Sequence, residues 1–189
     1  MAPILGIIAS SITGGLVTDN GAMFPIRSYV APSGGAASVT FSSIPSTYSH
    51  LQIRYTAHAL GNAADYTSVK MLVNNDTGAN YAYHRLYGNG ASASADASTS
   101  QSQALATWVP DELNPSNYGV CIIDILDYAN TNKYKTIKML GGFDKNGAGL
   151  VAMFSGLWQS TSAITRLDFA PNNGQNFAQY TSIALYGVK

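Results

Sequence analysis

Residues 41–59, FSSIPSTYSHLQIRYTAHA, constrain the fold more than any other stretch of the chain. In their second half, Leu51, Ile53 and Tyr55 fall on one side of an extended backbone, and Gln52, Arg54 and Thr56 on the other. That period of two marks a half-buried antiparallel strand. Ile44-Pro45-Ser46-Thr47 breaks the chain just before it, because proline fixes φ and donates no backbone hydrogen bond. A short strand, a proline-marked corner and a long central strand imply a sheet that turns over onto a second sheet. The expected fold is all-β, an antiparallel β-sandwich organised around this strand.

The remaining residues agree with that reading. Residues 26–31 and 37–41 flank Pro32-Ser33-Gly34-Gly35, which reads as a hairpin loop. Residues 66–74 set Ser68, Lys70 and Leu72 against Val69, Met71 and Val73, and Asn75-Asp76-Thr77-Gly78 closes a turn. Residues 81–87 place Tyr81, Tyr83, Arg85 and Tyr87 on one face, as a packed face, a subunit contact or an aromatic binding strip. Residues 88–103, GNGASASADASTSQSQ, are too small and polar to offset chain entropy by burial, and read as an exposed mobile loop. Further strands are expected over 104–109, 118–128, 133–142, 150–159, 164–169 and 181–188, with turns at Ala129-Asn130-Thr131-Asn132 and Asp144-Lys145-Asn146-Gly147. About ten strands at this spacing suit one sandwich domain, and apolar residues with helical periodicity are absent.

The first residues form a separate problem. Pro3, Ile4, Leu5, Ile7, Ile8 and Ile12 make an apolar run, and the first basic residue is Arg27. The run is shorter than the roughly 20 residues of a membrane span, and it lacks the basic start of a signal peptide. It fits either a buried N-terminal strand or an extended arm that docks on a partner chain. Gly14-Gly15 and Asp19-Asn20-Gly21 punctuate it like a hinge. An arm over residues 1–24 and a sandwich body over 25–189 are therefore expected.

Composition bears on function. Charged residues make up 11% of the chain, well under the usual quarter, and the net charge is zero. No basic run offers the electrostatic footprint of a nucleic-acid binder. A weakly charged surface built from Ser, Thr, Asn, Gln and Tyr favours association. The single cysteine, Cys121, excludes an intrachain disulfide and sits in an apolar strand as a small hydrophobe.

The residues offer little chemistry. His50, His58 and His84 are too scattered to supply the three or four converging ligands of a zinc site. Asp124 and Asp127 lie three apart on a strand, on opposite faces, and so do not form the carboxylate pair of a glycoside hydrolase. The Asp144-Lys145-Asn146-Gly147 turn lacks the acidic residue that closes an EF-hand loop. Neither a nucleophile elbow nor a phosphate-binding glycine loop is present. No enzyme activity and no cofactor are expected.

Five stretches carry a resemblance: residues 3–12 (PILGIIASSI), 41–54 (FSSIPSTYSHLQIR), 124–136 (DILDYANTNKYKT), 155–164 (SGLWQSTSAI) and 181–189 (TSIALYGVK). They are spread over most of the chain, and together they resemble small virion proteins of tailed bacteriophages, of the capsid decoration (cement) and head- or tail-fibre type. The resemblance implies a jelly-roll sandwich without cofactor, located on the phage particle and acting as an oligomer; closed cyclic symmetry is usual for such oligomers, and a homotrimer would suit both a threefold capsid axis and a fibre. Its implied partners are the major capsid protein or other virion proteins; the charge and the short apolar run already lead one to expect neither nucleic acid nor membrane. A capsid decoration protein anchored by the apolar arm is the leading expectation. A fibre or spike that touches host surface glycans is the alternative.

Overall fold

The computed structural model describes residues 22–61, 65–112 and 116–189. Pro3, Ile4, Leu5, Ile7, Ile8 and Ile12, the expected anchoring arm, lie outside the described residues.

Twelve strands lie among the described residues, most of them set by alternation of apolar and polar side chains. They are β1 (Met23–Val30), β2 (Val39–Phe41), β3 (His50–Ala57), β4 (Tyr66–Val73), β5 (Tyr81–Gly88), β6 (Ala93–Gln101), β7 (Ala104–Pro110), β8 (Gly119–Leu126), β9 (Lys135–Asp144), β10 (Gly149–Trp158), β11 (Leu167–Pro171) and β12 (Ser182–Val188). Eight form one sheet in the order β1-β12-β3-β8-β9-β10-β5-β6, and four form a second in the order β2-β11-β4-β7. All strand pairings are antiparallel. The two sheets pack face to face, so the chain is a β-sandwich, as its pattern requires.

The organising strand behaves as its sequence dictates. Leu51, Ile53 and Tyr55 of β3 are buried, while Gln52, Arg54 and Thr56 line the other face of the sheet. The inward residues share one continuous core with Val39, Phe41, Val69, Met71, Leu167 and Phe169 of the smaller sheet. Each such aliphatic or aromatic side chain contributes about 1.5–3 kcal/mol on burial. Tyr55 crosses between the sheets and donates its hydroxyl to the Thr107 carbonyl at 3.0 Å. Burial pushes that phenol well above its ordinary pKa.

Two expectations are corrected. Pro32-Ser33-Gly34-Gly35 is not a hairpin loop, because β1 pairs with β12 in the large sheet and β2 with β11 in the small one. The loop instead carries the chain from one sheet to the other. Gly35 is required there, since its φ is +78° and a Cβ would lie 2.1 Å from the Phe177 carbonyl oxygen. Residues 88–103 are not a mobile loop either. After Gly88 at the end of β5, all but a tight turn and a bend before Ala104 form β6, the last strand of the large sheet, paired with β5 from Gly88↔Ala93 to Tyr83↔Ser98 and again at Tyr81↔Gln101 past a bulge. Backbone pairing needs no apolar side chains, and the bidentate bond from Arg85 to Asp96 (2.6 and 2.8 Å) clamps the two strands together.

The two sheets differ in width because of two hairpins. Without β5–β6 and β9–β10, the remaining eight strands form β1-β12-β3-β8 against β2-β11-β4-β7, and the chain crosses between the sheets at every step except β4 to β7, which are neighbours in the small sheet. Both hairpins add to the large sheet beyond β8, and β10 pairs with β5 to join them.

Candidate functional site

Polar groups with chemical potential are dispersed. Asp127 donates its backbone N–H to His50 Nδ1 at 3.0 Å, where the imidazole caps a turn. The buried His58 ring lies between the carbonyls of Asn117 (2.6 Å) and Glu112 (3.0 Å). His84 is exposed on the outer face of β5. Among the described residues no three histidine, cysteine or acidic side chains are placed to share a metal ion. Asp124 accepts a bond from Gln52 at 2.8 Å on the sheet surface, while Asp127 pairs with Lys133 in the turn after β8. Cys121 is buried, and burial holds its thiol above the ordinary value, which disfavours a nucleophilic thiolate. In the turn between β9 and β10, Asp144 accepts the Asn146 N–H at 2.7 Å, and Lys145 reaches across to Glu112 and Asp65.

The row Tyr81, Tyr83, Arg85 and Tyr87 faces inward and is a packed face. Tyr81 is fully buried, and burial pushes its hydroxyl up to about 12. Arg85 lies 4.7 Å from the Trp108 ring centre and 5.2 and 5.5 Å from those of Tyr83 and Tyr87. Such stacking holds a guanidinium whose charge Asp96 balances.

What does stand out is the outer face of the large sheet. Ile122 of β8, Leu140 of β9, Met153 of β10 and Leu86 of β5 are direct cross-strand partners, forming one apolar ridge across four strands. Val120 and Val151 stand beside it, separated by Gly142 between them in register. Leu126 adds a further side chain on β8. These seven residues are each between 42% and 62% exposed. Two shallow grooves of about 730 and 750 Å³ flank the ridge, the first floored at Gly142 and the second passing Leu126, Thr136 and Ser155. Asp124, Lys138, Ser155 and His84 form a polar row along one side. Lone exposed apolar residues are ordinary on a protein surface, but a contiguous group of this kind is what interaction and ligand-binding sites share.

The sequence signal for this face is the loss of alternation. Val120-Cys121-Ile122-Ile123 in β8 and Leu150-Val151-Ala152-Met153-Phe154 in β10 are apolar at every position. Such runs belong to strands covered on both sides. Attention to the inward residues alone leaves that signal unread.

Comparison with known proteins found no matching family model, no matching curated protein and no matching solved structure.

Proposed function

We propose that this chain is a structural protein of a bacteriophage virion, a non-enzymatic decoration protein that associates with copies of itself and with the capsid shell. The observation that carries the reading is the apolar outer face of the large sheet. A sandwich closes its core with two sheets of similar width, yet here two further hairpins widen one sheet, and Leu140, Val151, Met153 and Leu86 on them extend the apolar surface begun by Val120, Ile122 and Leu126 of β8. The inward side chains of these strands, among them Ile137, Met139, Phe154 and Trp158, extend the core, so it is the exposed apolar character of their other face that points to assembly. Taking the two hairpins as insertions, the strand order supports reading the sandwich as a jelly roll, an architecture shared by capsid and lectin domains. The apolar residues Ile4, Leu5, Ile7, Ile8 and Ile12 supply the anchor to the particle in this reading, and the widened sheet supplies contacts between neighbours.

Copy number tests the proposal. Quantitative mass spectrometry of purified particles should find this chain in hundreds of copies, as expected for a protein that covers a shell. A few to dozens of copies would instead indicate a fibre, and absence from the particle would end the virion reading.

A further inference from the structure

We propose that, in place of the expected homotrimer, the outer face of the large sheet packs against the same face of a second copy, about a two-fold axis running along the strands between β9 and β10. This takes from the preceding reading only that the face is an association surface; the choice of occupant rests on the strand register. An apolar sheet face is well covered by another sheet, because side chains interdigitate while each backbone group keeps its partner in its own sheet. A two-fold contact brings one patch against itself, so the patch has to be self-complementary.

The register permits a direct check. An axis between β9 and β10 sets β8 over the partner's β5, and β9 over the partner's β10. In the ridge, Ile122 then meets the partner's Leu86, and Leu140 meets the partner's Met153. In the next row, Val120 lies over the partner's Gly88 and Val151 over the partner's Gly142, a protruding side chain above a glycine in each case. In the polar row, Asp124 meets the partner's His84, and Lys138 meets the partner's Ser155.

Other placements match less well. Moving the axis onto β9 sets Val120 against Val151 and leaves Gly142 facing itself. Moving it onto β10 sets Lys138 against His84. Turning it across the strands, through the ridge, lays Val120 over Asp124. The area is also adequate. Six strands from β3 to β6 spaced about 4.8 Å apart, and seven residues along each, offer roughly 700 Å², close to the ~800 Å² per partner of a standard stable interface.

The test is the mass of the full chain in solution, by light scattering or sedimentation at micromolar concentration. The expected mass is twice the 19.9 kDa of one chain. Leu140→Lys brings like charges together beside the axis and should restore the single-chain mass with an unchanged far-ultraviolet spectrum. Should that variant lose its sheet signal, Met153→Lys on the neighbouring strand provides the same test. On a Cys121→Ala background, Ile122→Cys chains mixed with Leu86→Cys chains should be joined by a bismaleimide short enough to bridge sheets about 10 Å apart. Neither variant should be joined to itself. A wild-type mass of one or three chains, a dimer indifferent to both lysine substitutions, or self-joining of Ile122→Cys would overturn the proposal. A monomer still found in hundreds of copies on particles would remove the two-fold contact and leave the virion reading standing.

Discussion

Asp76 gathers the end of the sandwich where β4 turns into β5. Its carboxylate accepts bonds from Trp158 Nε1 at 2.7 Å, Asn80 Nδ2 at 2.9 Å and the Gly78 N–H at 2.8 Å. Burial would raise its pKa, but the Trp158, Asn80 and Gly78 donors outweigh it and hold the carboxyl below its ordinary 3.8. A carboxylate with a depressed folded value stabilises the fold fully above its unfolded pKa, and that contribution drains away as pH falls through the folded value. Asp76→Asn keeps the shape and removes the charge, so at neutral pH it should cost about 1–3 kcal/mol. The gap in melting temperature between wild type and Asp76→Asn should stay constant above about pH 5 and close below about pH 4. Melting curves from acid to neutral pH check this, and a gap that ignores pH would show the charge to be irrelevant. Lys135, at the same end of the molecule, shows the opposite balance, because burial lowers its pKa despite the carbonyls around its ammonium. Its ammonium is buried and donates to the carbonyls of Asn130 (2.6 Å), Lys133 (3.0 Å) and Thr161 (3.3 Å), tying the turn after β8 to the loop after β10.

Strand β6 shows how an element forms without an apolar pattern. Ala93, Ala95 and Ala97 sit outward and Ser94, Asp96 and Ser98 inward, so the period of two exists but joins residues too small to register as hydrophobic or polar faces. A short peptide inserted between Gly90 and Ala91, in the turn, should leave the melting temperature nearly unchanged. The same peptide after Ser94 should push Asp96 out of register with Arg85 and leave the guanidinium without its carboxylate among its aromatic rings, costing about 3 kcal/mol. Calorimetry on the two insertions checks this, and equal melting temperatures would show that β6 contributes nothing to stability. The long strands were legible because a buried face and a wet face impose alternation, as β3 shows with Leu51, Ile53 and Tyr55. The partners of the strands were not. Gly34-Gly35 signals a reversal equally well for a hairpin and for a crossing between sheets, and only the contact of Gly35 with Phe177, far along the chain, decides between them. The outer ridge was half legible, in the uninterrupted apolar runs of β8 and β10. Its alignment depends on register across β8, β9, β10 and β5, which local sequence does not encode.

The whole molecule resolves into a core and a surface with different tasks. The core joins both sheets in one continuous cluster and keeps the chain folded without a disulfide. The surface carries few charges and one broad apolar face, a combination that favours ordered association over solubility as a monomer. On the proposed reading, that association reinforces a capsid against internal pressure. The most direct measurement is the temperature at which particles release their genome, compared between wild-type phage and phage lacking this chain. Particles without it should release the genome at a lower temperature while adsorbing to host cells at the wild-type rate. An unchanged release temperature together with lost adsorption would contradict a decorating role and assign the chain to host attachment instead.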